Sequence, residues 1–157
     1  MSIQIRSVRS KTVVIGIWQD TKRVPTALSF WDKECNEAIS GHNFSGKRGE
    51  TTRVGSVLFV GLGKKGSLGR DDLRNLGGSI VRALGNAKIC SASLHLHATV
   101  PSGVAKEVEL GQLVGEGITI ASWRVDQFDG SATMRKDKLG TFSLTSDSKD
   151  VVVGLKR

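Results

Sequence analysis

The chain has 157 residues, 38% of them hydrophobic, and a net charge of +8. That length suits a single domain, 1–157, able to bury about 70% of its unfolded surface without staples, and the composition argues against long disorder. Two distant cysteines, Cys35 and Cys90, argue against a disulfide framework and suit a reducing, cytoplasmic setting, while the lack of a signal-peptide core or a run of about 18 apolar residues leaves nothing that reads as membrane-inserting.

In chain order, Ile3 to Val8 alternates apolar and polar residues, as a half-buried strand does. Thr12 to Trp18, TVVIGIW, is nearly all apolar and β-branched, which suits a strand covered on both faces. Phe30 to Ile39 reads as a helix, with Asp32 and Glu34 in its first turn and Gly41 as its stop. Ser40 to Arg53 is polar and glycine-rich and reads as a loop. Val54 to Leu62 is the expected central strand. Asp71 to Leu84 follows as a helix, with Leu73, Leu76, Ile80, Val81 and Leu84 at three- and four-residue steps forming one stripe. Gly77 and Gly78 weaken that helix by about 1 kcal/mol each relative to alanine, which points to close packing of helix on sheet.

Ile89 to Ala98 alternates strictly, placing Cys90, Ala92, Leu94, Leu96 and Ala98 on one side and Ser91, Ser93, His95 and His97 on the other. Pro101-Ser102-Gly103 reads as a turn that caps a helix from Val104 to about Gly115. Ile118 to Trp123 fits either a continuation of that helix or a strand. Asp126 to Gly140 reads as a charged loop, and Thr141 to Thr145 and Val151 to Leu155 as final strands. Strands and helices in alternation predict an α/β layered fold, with a mixed, mainly parallel sheet and helices on both faces.

The chemistry-bearing signals are few. Gly61-Leu62-Gly63-Lys64-Lys65-Gly66 matches GxGxxG after a strand, a pattern that lets a backbone approach a pyrophosphate at a helix N-terminus. Two details oppose a nucleotide site: the helix starts near Arg70 and not at Gly66, and no acidic residue follows Ile89–Ala98 to hold a ribose. Lys64 and Lys65 remain the candidate anion-binding residues. His95 and His97 fall on one strand face about 6.5–7 Å apart, the beginning of a metal site, but a catalytic zinc usually takes three protein ligands and no carboxylate adjoins them. Histidines packed under a covering helix are the simpler reading. There is no GxSxG nucleophile pattern, Cys35 and Cys90 sit in apolar patterns and read as inert, and Trp18, Trp31 and Trp123 read as core anchors. The charge is uneven: residues 1–100 hold fifteen Lys and Arg against seven Asp and Glu, whereas residues 101–157 hold eight of each. A basic half suits an anionic partner or a solvated face.

The stretch FVGLGKKGSLGRDDLRNLGGSIVRAL, with Val60-Gly61-Leu62-Gly63-Lys64, Leu73-Arg74, Gly77-Gly78 and Arg82, resembles the N-terminal domain of the leucyl (cytosol) aminopeptidases. Glu116 to Asp126, EGITIASWRVD, is similar to a second segment of that family, with Trp123 in place of its usual tyrosine. The resemblance implies a three-layer, macro-domain-like α/β fold. It implies a non-catalytic accessory role: packing against a C-terminal catalytic domain, supporting a hexamer and limiting substrate access. It also implies that the parent removes N-terminal residues from peptides, using zinc or manganese held in that other domain. No catalytic, cofactor or metal residue is assigned in this chain. The family's NTDAEGR and GKGITFDSGG-type motifs are not present. Gly115 to Ser122 is superficially similar to the second, but Glu116 stands at its lysine and Ala121 at its metal-binding aspartate. The alternative function is an anion-binding module, since some family members bind DNA and macro-like folds often bind ADP-ribose.

Overall fold

The computed structural model describes residues 2–5, 10–19, 26–128, 141–146 and 148–157. Six strands form one sheet in the order β1-β6-β5-β2-β4-β3. They are β1 (Ser2–Ile5), β2 (Val13–Trp18), β3 (Thr51–Val54), β4 (Val57–Gly63), β5 (Ser91–Leu94) and β6 (Thr141–Ser146). Every neighbouring pair is parallel except β3 with β4. The helices are α1 (Asp32–Asn36), α2 (Arg70–Asn86), α3 (Glu107–Phe128) and α4 (Lys149–Leu155).

The sheet is covered on both faces, giving the three-layer, macro-domain-like arrangement expected. β2 lies between β5 and β4, and all six of its residues are buried. Alternation along it splits the core. Val14 and Trp18 join the leucines of α2 and α3 on one face, while Val13, Ile15 and Ile17 join Leu28, Trp31, Cys35, Ala38 and Phe44 on the other. The α2 stripe reads from sequence as it folds: Leu73, Leu76, Ile80 and Leu84 are all fully enclosed and Val81 nearly so, each such side chain contributing about 2 kcal/mol. Asp72 starts the helix, its Oδ2 accepting from the Gly69 N–H at 2.7 Å.

Several elements differ from the sequence reading. The strand expected over Val54–Leu62 is a hairpin, because Gly55 takes φ +58° and lets Val54 pair back onto Val57; the loop expected to run to Arg53 therefore ends before β3. The helix expected over Phe30–Ile39 extends from Thr26 to Gly41, as a 3-10 turn, then α1, then a π turn. What unites it is burial of Leu28, Trp31, Cys35 and Ala38 at three- and four-residue steps against the sheet. β5 is shorter than Ile89–Ala98. It ends at Leu94, where its pairing with β6 ends, and Leu96–Ala98 is a 3-10 turn.

Between the two alternatives for Ile118–Trp123, the chain continues the helix: α3 runs to Phe128. That helix starts at Glu107, three residues later than Val104, after a turn closed by the Val104 N–H on the Pro101 carbonyl at 3.0 Å. Of the loop expected over Asp126–Gly140, the first three residues are helical and the rest lie outside the described residues, as do Arg6 to Val8 of the first expected strand. Val151–Leu155 is not a strand but most of α4. Its β-branched run misled, because the cap lies just upstream: Ser148 Oγ accepts from the Val151 N–H at 3.3 Å and donates to the Glu107 carboxylate, tying the start of α4 to the start of α3. Among the described residues, no helix is long and apolar enough to cross a membrane.

Candidate functional site

The glycine-containing end of β4 is covered by the chain itself. A Cβ on Gly61 would lie 1.9 Å from the Lys47 carbonyl oxygen, so the residue is glycine to admit the backbone of residues 46–50. That segment is bonded in place: the Gly61 N–H donates to the Glu50 carbonyl at 2.7 Å, the Gly49 N–H to the Gly61 carbonyl at 3.1 Å, and the Gly63 N–H to the Gly46 carbonyl at 2.9 Å. The N–H groups of Gly61 and Gly63 are thus already used within the chain, and carbonyl oxygens stand close by. Lys64 and Lys65 are exposed in the turn that follows.

Two side chains pin the 46–50 segment. Glu50 receives the Ser45 hydroxyl at 2.6 Å, the Ser45 N–H at 3.4 Å and the Lys47 N–H at 3.2 Å. Desolvation pushes its carboxyl up, but these hydrogen bonds together outweigh that and leave it below the usual glutamate value. Arg48 crosses to the far side of the loop, donating to the Ser67 carbonyl and hydroxyl at 2.8 Å each and pairing with Asp72 at 3.2 Å.

His95 and His97 do not share a strand face. His97 lies in the 3-10 turn after β5, and the two rings stand edge to face with centroids 4.6 Å apart. Trp31, from the segment covering that side of the sheet, meets the His95 ring edge-on, also at 4.6 Å, which matches the reading of packed histidines. Among the described residues no three His, Cys, Asp or Glu side chains gather where a metal ion would fit. Cys35 is fully buried, and burial first, then Asp32 and Glu34, push its thiol up to about 11, which keeps it protonated and unreactive at neutral pH. Cys90 is exposed, contrary to the alternation that placed it beside Ala92 and Leu94, because it precedes the strand. Trp18 and Trp31 are core anchors as expected, with the Trp18 indole donating to the Thr99 carbonyl at 3.1 Å; the side chain of Trp123 lies outside the described residues.

An open concavity lies elsewhere. A groove of about 950 Å³ runs between the 46–50 segment, α2 and α3. Arg48, Arg74 and Arg82 line it together with Gly78, Ser79 and Ile120. Arg74 donates to Glu116 at 2.7 Å and to Asp71 at 2.7 Å. The Arg74 guanidinium holds the Glu116 carboxyl below its usual range, with Gln112 adding a second hydrogen bond. Among the described residues, Arg82 reaches only the Ser79 hydroxyl, at 3.5 Å. Ile120 is 51% exposed and also borders a smaller hollow of about 350 Å³ between α3 and α4. Sequence reasoning passed over this groove. The one available signal was Arg74, Gly78 and Arg82 at four-residue steps along one face of a helix; nothing marked Arg48 or Ile120 as their neighbours.

The α2–α3 contact behind the groove explains the paired glycines. A Cβ on Gly77 would lie 2.3 Å from the Val114 carbonyl, and one on Gly117 would lie 1.8 Å from the Arg74 carbonyl. The close approach is therefore helix on helix, not helix on sheet. Gly78 is different: its Cβ would meet the Ala121 Cβ at 3.5 Å, an ordinary contact.

Comparison with known proteins gives a consistent picture. The family model for the N-terminal domain of the cytosol aminopeptidase family matches residues 14–130. A probable cytosol aminopeptidase of Alkaliphilus oremlandii is 30% identical over 142 residues, covering 82% of this chain and 28% of that protein. A probable cytosol aminopeptidase of Aquifex aeolicus is 24% identical over 132 residues, covering 79% and 26%. Among solved structures, a mutant of tomato leucine aminopeptidase superposes with a TM-score of 0.67 at 20% identity, covering 99% of this chain and 35% of that one. The bottromycin maturation enzyme BotP in complex with Mn gives 0.60 at 21%, covering 91% and 28%. At these identities the structures share the fold. The chain spans less than a third of the length of these curated relatives.

Proposed function

The chain belongs to the cytosol aminopeptidase family, as its N-terminal domain, and from that premise we propose that it is the non-catalytic accessory domain, 1–157, of a cytoplasmic metallo-aminopeptidase. The whole protein removes N-terminal residues from peptides with zinc or manganese held in a separate C-terminal domain. This domain packs against that one, supports a hexameric assembly and limits access of substrate.

The observation that carries the reading is one of proportion. The match falls on the family's N-terminal domain, and the relatives extend over more than three times the length this chain covers. The test uses the purified chain with zinc or manganese and a leucyl-anilide substrate. No release of the aniline above the uncatalysed rate is expected. Turnover that follows the added metal and disappears with a chelator overturns the non-catalytic assignment.

A further inference from the structure

We propose that the groove between α2, α3 and the 46–50 segment docks an extended, acidic peptide segment that carries an apolar side chain. The inference goes beyond the accessory role and does not depend on it. Its first support is charge. Three arginines line the groove and, among the described residues, no acidic residue does. Arg48 and Arg74 are already neutralised from outside it by Asp72, Asp71 and Glu116, so their guanidiniums are fixed in position and add little attraction. Arg82 is the lining cation with no carboxylate bonded to it among the described residues; its hydrogen bond is the long one to Ser79. One unsatisfied guanidinium with a hydroxyl beside it suits a single carboxylate, which takes paired donors. A nucleic-acid backbone draws its affinity from several unneutralised cations at once, which this groove does not offer.

The second support is shape. Arg74 and Arg82 are eight residues apart on α2, about 12 Å along its axis, the reach of about four residues of extended chain. Ile120 of α3 also lines the groove and is half-exposed, so that an apolar side chain of the segment would cover it. The third is Gly78. Glycine weakens a helix interior relative to alanine, and here neither a left-handed backbone nor a close contact demands it, since a Cβ would fit against Ala121 at 3.5 Å. Its effect is to leave the groove open beside Arg82.

The test is a titration of the full 157-residue, ¹⁵N-labelled chain with acetyl-Leu-Asp-Leu-Glu-amide, followed by amide chemical shifts. Saturable shifts are expected at residues 48–49, 74–82 and 117–121. The Asn/Gln counterpart of the peptide should bind measurably more weakly. Arg82→Gln should weaken binding about fivefold, the effect of an exposed ion pair, and Ile120→Ser about threefold through lost apolar contact. Both side chains are exposed, so both variants retain the fold, checked by their unperturbed spectra. Absent shifts, equal shifts with the neutral peptide, or unchanged affinity in Arg82→Gln overturns the proposal. So does a single-stranded oligonucleotide that moves the groove amides more strongly than the peptide, which makes nucleic acid the occupant.

Discussion

The end of β4 and the groove beside α2 are both glycine-lined and both flanked by basic residues, yet one is covered by backbone and the other open. At the end of β4, the bare Cα of Gly61 faces the Lys47 carbonyl, and the N–H groups of Gly61 and Gly63 are bonded to residues 46–50. At the groove, Gly78 faces little more than the edge of Ala121. The difference teaches that a glycine spacing announces a close approach without saying what approaches. In the first region the partner is local backbone, 14 residues upstream. In the second, an adjacent pair of glycines divides the two uses, with Gly77 admitting α3 and Gly78 leaving space.

The sharpest way to break this contrast is to add a methyl group on each side of it. Gly61→Ala forces its Cβ into a fixed carbonyl and should destabilise the chain by about 3 kcal/mol, the upper part of the overpacking range, read as a fall in the urea midpoint at unchanged slope. A midpoint within error of the parent would show that the 46–50 segment is not held against β4. Next in size is the clamp on that segment. Glu50→Gln should cost about 1 kcal/mol at neutral pH, because charge-assisted hydrogen bonds become neutral ones. Its pH dependence has a definite sign. The folded Glu50 carboxyl lies below the ordinary value of 4.5, so its contribution is fully present above about that pH and drains away as pH falls through the lower folded value. The gap between parent and Glu50→Gln should therefore close in acid; a gap that widens below pH 4.5 contradicts the clamp. The smallest effect is at the groove. Gly78→Ala should be neutral or stabilising by up to about 1 kcal/mol, while Gly77→Ala should be destabilising. If both lose stability alike, the two glycines share one packing role and the groove is not free at Gly78.

Much of the fold was legible in the chain. The continuous β-branched run of β2 and the three-four spacing of α2 are local patterns, and each was read with nearly its observed limits. The final Val151–Leu155 segment was misread because β-branched residues report a local preference of a fraction of a kcal/mol, which a cap at Ser148 and burial of Val151 against the core override. The His95 and His97 alternation failed for a related reason: period-2 spacing persists beyond the last paired residue, and pairing is a property of the neighbouring strand. The GxGxxG motif was visible, but the packing of residues 46–50 against Gly61 and Gly63 was not, because that contact depends on how the β3–β4 hairpin folds back.

By itself, then, the sequence determined which segments bury their apolar faces, which family those segments spell out, and that glycines crowd the end of β4, since these follow from residue type and spacing along a single element. Only the tertiary structure decided what each glycine faces and where Arg48, Arg82 and Ile120 come together. These residues are drawn from a loop and two helices as far as 72 positions apart, and their proximity is set by helix packing, in which the missing Cβ atoms of Gly77 and Gly117 let two backbones approach to contact.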